Sequence, residues 1–172
     1  MQDIVYITPN FAVTGSIDAD DFARIAELGF KAVINNRPDG EEDGQLSGQT
    51  AAPASWRAGL IYRHIPVNKL EMFTDPVVGA MHEALAELDG PVLAHCKSGI
   101  RSAIVWAAAR SRTQSVDDVL AALEKAEFDL DFLRDDLEQQ ADRARWMPAA
   151  LPATAADGLA TNGAATNGLA AA

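Results

Sequence analysis

Residues 91–109 read PVLAHCKSGIRSAIVWAAA. Val92, Leu93 and Ala94 form an apolar run of buried-strand length, and beyond Arg101 the chain is apolar at helical length. His95, Cys96, Lys97, Ser98, Gly99 and Ile100 lie between them. A strand feeding a compact loop that opens a helix aims several backbone N–H groups and a positive dipole end at one point. At that point stands the single cysteine of the chain, with Arg101 five positions later. These are the parts of an anion-binding nest built around a thiolate. Gly99 allows the positive φ that a tight loop needs, and Arg101 offers a planar fork to an anion. Ser102 can donate a hydrogen bond to sulfur, and Lys97 adds charge. His95 reads as a residue that orients the loop rather than one that moves a proton. A lone cysteine is usually a small core hydrophobe, but these neighbours favour a nucleophile at Cys96.

At 172 residues and 48% hydrophobic content, the chain fits one domain with a sizeable core. No apolar run approaches the roughly 20 residues of a membrane span. The opening MQDIVYITPN has neither a basic region nor an apolar stretch of signal type, so the expected location is cytoplasmic. One cysteine excludes an internal disulfide and, without a histidine cluster, predicts no structural zinc. No metal or organic cofactor is expected. A formal net charge of −11 argues against nucleic acid or an anionic membrane as partner. An anionic substrate must then be captured locally, by Arg101, Lys97 and the loop amides around Ser98, Gly99 and Ile100.

Outward from the loop, segments 4–7 and 11–14 read as short strands about the Pro9-Asn10 turn. A helix with Phe22, Ile25 and Ala26 on one face follows, with Ser16 or Asp18 as its cap and Gly29 as its stop. Segment 32–35 is the next strand. The polar loop 36–44 is longer than a simple connector and is either a functional surface or a solvated turn. In the functional case Arg37 supports an anion, and Asp39 or Glu41 bonds to the cysteine loop. A helix over 50–58 and a strand over 60–65 come next. A second irregular loop, 67–75, holds Asn68, Lys69, Glu71 and Asp75. Pro76 suits the first turn of a helix whose apolar stripe is Val77, Met81, Leu85 and Leu88, with His82 exposed. Ser115 opens another helix through Val119, Leu120 and Leu123 in capping-box fashion. A last helix over 128–146 buries Leu130, Leu133, Leu137 and Trp146. Strands alternating with helices predict an α/β architecture with a mixed or mostly parallel sheet. From Pro148 the composition turns to alanine, glycine, threonine and asparagine. This divides a catalytic domain, 1–147, from a tail, 148–172, too poor in apolar bulk to order itself.

Three separated blocks carry a resemblance: VINNRPDGE at 33–41, IPV at 65–67 and HCKSGIRS at 95–102. Together, over about residues 3–135, they resemble the phosphatase-like domain of beta-lactamase hydrolase-like proteins. The resemblance implies the three-layer fold of cysteine-dependent dual-specificity phosphatases, with a central sheet flanked by helices. It also implies either of two chemistries, since relatives of that family are fused to persulfide dioxygenases. One is phosphoryl transfer through a phosphocysteine and the other is sulfur transfer.

Two departures bear on the choice. Cysteine phosphatases place five residues between cysteine and arginine, whereas here there are four, as in the rhodanese-type sulfurtransferases that the loop resembles. In the dual-specificity pattern an aspartic acid follows the IPV strand and protonates the leaving oxygen. Here Asn68 and Lys69 stand in its place, leaving Asp75 or Glu71 as the acid of a phosphatase. Loss of a general acid removes about 10²–10⁴-fold of rate, while sulfite or a thiolate leaves without one. The expectation is therefore a sulfurtransferase working through a Cys96 persulfide, with a small anionic sulfur donor and a thiol acceptor such as glutathione. A phosphatase acting on a phosphorylated substrate is the alternative, and a non-catalytic module binding an anion or phosphoprotein is the third possibility.

Overall fold

A computed structural model describes residues 1–146; the predicted tail lies outside the described residues. The short apolar runs become five strands: β1 (Val5–Thr8), β2 (Phe11–Thr14), β3 (Ala32–Asn35), β4 (Ile61–His64) and β5 (Val92–His95). Six α-helices alternate with or follow them: α1 (Asp21–Glu27), α2 (Gly48–Arg57), α3 (Asp75–Glu87), α4 (Ile100–Arg110), α5 (Val116–Lys125) and α6 (Arg134–Trp146).

The strands form one sheet in the order β1-β2-β5-β3-β4. All neighbours are parallel except β1, which pairs antiparallel with β2 at the edge. Strand β5 is central, and its residues alternate between two cores as the period of two requires. Val92 and Ala94 join Phe11, Val13, Ala32 and Ile34 beneath α3 and α4. Leu93 joins Ala12, Val33, Phe22 and Ile25 on the other face, beneath α1 and α2. The sheet order reverses at β5, between β2 and β3. The carboxyl end of a strand at such a switch point is where open α/β sheets bind ligands. The loop bearing Cys96 leaves β5 there.

The sequence expectations need four adjustments. Helix α1 starts later than expected, with Asp20 at its cap position and the amide of Asp18 donating to Asp21 Oδ2 at 2.8 Å. Neither Ser16 nor Asp18 caps it. The stripe of α3 is centred on Val78, Met81, Ala84 and Leu88, with Val77 and Leu85 as partly buried flanks and His82 half-buried rather than exposed. The last helix is broken: a 3₁₀ turn at Asp131–Leu133 precedes α6. Trp146 is 85% exposed. It lies nine positions past buried Leu137, two and a half turns at 3.6 residues per turn, and so faces the opposite way. At α5 the expected cap forms, with Ser115 Oγ accepting from the Asp118 amide at 3.1 Å.

Candidate active site

Strand β5 ends at His95 and α4 begins at Ile100, so four residues turn the chain from one to the other. Gly99 takes φ +87° at the cap of α4. That conformation strains any residue with a Cβ. It points the Gly99 amide back at Cys96, whose Sγ accepts at 3.2 Å. The sulfur is buried behind exposed Lys97, Ser98 and Ile100. The loop is braced from β2 by a bridge between Gly15 and Ser98. The amide of Ser16 donates to Lys97 O at 3.3 Å, and its hydroxyl does so at 3.4 Å.

Loop 36–44 closes over the other side. The Asn36 amide donates to His95 O at 2.8 Å, and the Val67 amide to Asn36 O at 3.2 Å, so three strand ends meet here. Arg37 is buried; its Nε donates to Glu41 at 2.9 Å, one NH group to Ser16 Oγ at 3.0 Å, and the other to Glu42. Arg101 donates to Glu41 Oε1 at 2.6 Å and more weakly to Asn36 O at 3.4 Å. Lys97 pairs with Glu42. Partial burial would raise the Glu41 carboxyl, but hydrogen bonds from Arg101 and Arg37 outweigh it and hold the group below the usual carboxylate range. The ammonium of Lys97, and then Arg37, hold Glu42 low as well. Both glutamates are therefore ionised, and both lie against the cations expected to capture an anion.

Each predicted residue can be placed. Cys96, Lys97, Ser98, Gly99, Ile100, Arg101 and Arg37 come together at the carboxyl end of β5. Ser102 lies beneath them, fully buried in α4; its hydroxyl has no partner and makes no bond to the sulfur, the nearby donor being the Gly99 amide. His95 is buried, and neither ring nitrogen has a hydrogen-bond partner. Burial, with Arg37 and His64 nearby, pushes it down to about 3, so it is neutral at ordinary pH. Asp39 does not reach the cysteine loop. It accepts from the Gly48 amide at 2.8 Å and serves the start of α2, where backbone donors are free. Glu71 is held by Asn68 Nδ2 at 2.7 Å on the surface. Asp75 accepts from Arg112 at 2.8 Å and Arg143 at 3.1 Å. Arg112 follows the C-terminus of α4, an 11-residue helix, and about 16 Å of helix separates it from the cysteine loop.

Ser16 and Glu42 were not foreseen as site residues. Ser16 had the appearance of a helix cap, and Glu42 of one more charge in a solvated turn.

The model of the family described as beta-lactamase hydrolase-like protein, phosphatase-like domain, matches residues 3–113. The chain belongs to this family. A beta-lactamase hydrolase-like protein of Xylella fastidiosa is 38% identical over 104 residues, covering 60% of this chain and 24% of that protein. The chain thus spans about a quarter of the length of the curated relatives it matches. A Neisseria meningitidis crystal structure, described as a candidate phosphatase, is similar with a TM-score of 0.67 and 26% identity, covering 80% of this chain and 97% of the other. The kinase associated phosphatase is similar with a TM-score of 0.61, covering 86% of this chain and 98% of its own. At 15% identity it shares the fold alone. The phosphatase-like domain described here has the cysteine-phosphatase fold.

Proposed function

We propose that this domain transfers sulfane sulfur through a persulfide on Cys96. The Cys96 thiolate, favoured by the Gly99 amide and the N-terminus of α4, attacks the outer sulfur of a persulfide or thiosulfate-like donor. The Cys96 S–S bond forms as the donor S–S bond breaks, and its electron pair leaves on a thiolate or sulfite. An acceptor thiolate such as that of glutathione then attacks the outer sulfur of the persulfide and releases Cys96 as thiolate.

The observation that carries this proposal is the loop. Four residues between Cys96 and Arg101 form a small ring, and one amide, that of Gly99, is bonded to the sulfur. A phosphoryl group presents three oxygens and calls for a wider cradle; a terminal sulfur calls for a narrow one. The acids support the same choice. Asn68 occupies the position after the IPV strand, Glu71 is bonded to it, and Asp75 is held by two arginines. Glu41 and Glu42 are ionised by their partners and have no proton to give a leaving oxygen.

Phosphate-ester hydrolysis through a phosphocysteine is the second reading. It is favoured by the names of the structural neighbours as phosphatases, one of which is described with a catalytic site cysteine. The deciding experiment pairs cyanide-dependent thiocyanate formation, from benzenethiosulfonate and from thiosulfate, with hydrolysis of p-nitrophenyl phosphate. Wild type is expected to form thiocyanate, and Cys96→Ser to retain less than about a tenth of that rate. Phosphate hydrolysis without thiocyanate would replace sulfur transfer by the second reading. Neither activity in wild type would leave an anion-binding module.

A further inference from the structure

The segment before β1 is tied to the end of β2. The Thr14 hydroxyl donates to Gln2 O at 3.0 Å and to Asp3 O at 3.2 Å. Gly15 makes room for this arrangement, since a Cβ there would overlap the Gln2 carboxamide. Phe128 is fixed from the other direction, by the end of α5. Its amide donates to Leu123 O at 2.9 Å, and the Glu127 amide to Glu124 O at 2.9 Å. That pair of bonds closes a helix whose next residue turns left-handed, and Glu127 takes φ +62° there without being glycine. A groove of about 420 Å³ is lined by Gln2, Asp3, Val13 and Phe128 and reaches the cysteine loop at Ser98 and Gly99. Gly99 is the residue whose amide holds Cys96 Sγ at 3.2 Å. Among the described residues no arginine or lysine lines this groove. The Asp3 carboxylate is exposed and, among the described residues, in no ion pair, whereas Glu41 and Glu42 are both paired with cations of the site.

We propose that this groove is the acceptor subsite and that Asp3 selects a small thiol carrying an ammonium group, of which cysteamine is the simplest. This rests on the sulfur-transfer reading above and names the substrate class of its second half-reaction. Transfer through a persulfide uses two substrates in turn, and the surroundings of the loop differ in charge. Arg101 and Lys97 suit the anionic end of a donor. The groove offers instead one carboxylate, the Gln2 carboxamide and the Phe128 ring. An ammonium on a short apolar chain matches that set, because the carboxylate pairs with it and an aromatic face attracts it. The formal net charge of −11 also draws a cationic acceptor toward the domain. In the step itself the acceptor enters as its thiolate. Its sulfur bonds to the outer sulfur of the Cys96 persulfide, which keeps its proton. The Cys96 S–S bond breaks, and the electron pair returns to Cys96 as thiolate. The step needs no oxidant and no reductant.

The test uses Asp3→Asn, which keeps the size of an exposed side chain and removes its charge. With benzenethiosulfonate as donor, kcat/KM is measured for cysteamine and for 2-mercaptoethanol, its neutral counterpart. The ratio of the two is compared between wild type and variant, so that the intrinsic reactivities of the thiols cancel. Asp3→Asn is expected to lower the ratio about fivefold, and Asp3→Lys to lower it further while favouring 3-mercaptopropionate. The effect should shrink in molar salt, where the Debye length is about 3 Å. Binding is measured without turnover by titrating 2-(methylthio)ethylamine, which has no thiol to accept sulfur, and following the amide signals of Ser98, Gly99 and Phe128. Those signals should move, 2-(methylthio)ethanol should move them less, and Asp3→Asn should weaken the amine about fivefold. An unchanged ratio in Asp3→Asn overturns the proposal, as does a titration in which the amine and the alcohol behave alike. Amine binding at these three residues, without thiocyanate from any form of the protein, would retain the ammonium subsite and discard sulfur transfer.

Discussion

The amide of Gly99 donates to the sulfur of Cys96 at 3.2 Å, and it can do so because Gly99 has φ +87°. A Cβ at Gly99 would lie 3.5 Å from the backbone of Thr14, an ordinary contact, so the penalty is conformational rather than steric. Gly99→Ala should therefore cost about 1–2 kcal/mol of stability. It should lower sulfur transfer by more than about tenfold, because the loop relaxes by turning that amide away. Thermal denaturation and the rate of Cys96 alkylation by iodoacetamide measure the two effects separately. A variant that loses stability but alkylates and turns over like wild type would show that the amide does not activate the sulfur.

His95 makes the domain acid-sensitive in a defined window. Burial, with Arg37 and His64 adding to it, pushes its pKa from 6.5 down to about 3. The unfolded chain takes up a proton near pH 6.5 that the folded chain refuses until about pH 3. Stability from this residue is thus intact above pH 6.5, erodes as the pH falls toward 3, and is level below. Between pH 7.5 and 5.0 the loss is about 2 kcal/mol. Guanidinium unfolding of wild type and His95→Gln at both values tests it. The variant should lose less than half as much, whatever its absolute stability. Equal losses in the two proteins would assign the acid sensitivity elsewhere.

The parts of this domain that could be read from sequence are those with a local signature. Short apolar runs mark β2, β3 and β5, the Ser115 cap marks α5, and the glycine before an apolar run marks the turn that aims at Cys96. What could not be read depends on residues far apart in the chain. Lys97 and Glu42 are 55 positions apart, and Arg101 and Glu41 are 60; no spacing rule links them, so Glu42 looks like a solvated charge. Trp146 shows the opposite failure. Its apolar type suggests burial, but its angle around α6 from Leu137 decides against it.

Asp75 belongs to a structural cluster at the far end of α4. Arg112 donates to Asp75 at 2.8 Å and through Nε to Gln140 Oε1 at 3.2 Å, and Gln140 Nε2 donates to Phe73 O at 2.8 Å. Gln140 is 1% exposed. Gln140→Leu would leave a partly buried carbonyl and part of a guanidinium unpaired, costing about 1–2 kcal/mol. Asp75→Asn removes the ion pairs of a half-exposed carboxylate with Arg112 and Arg143 and should cost about 0.5–1 kcal/mol. In both variants kcat/KM should stay within about twofold of wild type. A tenfold fall in phosphate hydrolysis by Asp75→Asn, with its melting temperature held, would return Asp75 to the role of acid.

The length of the loop can be tested by restoring what a phosphatase has. Inserting one glycine between Ile100 and Arg101 gives five intervening residues, widens the ring and moves the Arg101 fork relative to Glu41. That insertion should weaken sulfur transfer at least tenfold, because the Gly99 amide no longer closes on a small ring. Hydrolysis of p-nitrophenyl phosphate should nevertheless stay slow, since Asn68 cannot protonate the leaving oxygen. Adding Asn68→Asp supplies a carboxyl immediately after Ile65-Pro66-Val67 and removes the hydrogen bond that now holds Glu71. A general acid contributes about 10²–10⁴-fold, so the combined variant should exceed the product of the two separate effects on hydrolysis. The measurement is kcat/KM for benzenethiosulfonate and for the aryl phosphate in wild type, each single change and the combination. Hydrolysis by wild type already as fast as by the combined variant would mean that the short loop cradles a phosphoryl group. The acid to seek would then be Glu71, because Arg112 and Arg143 keep Asp75 at the other end of α4.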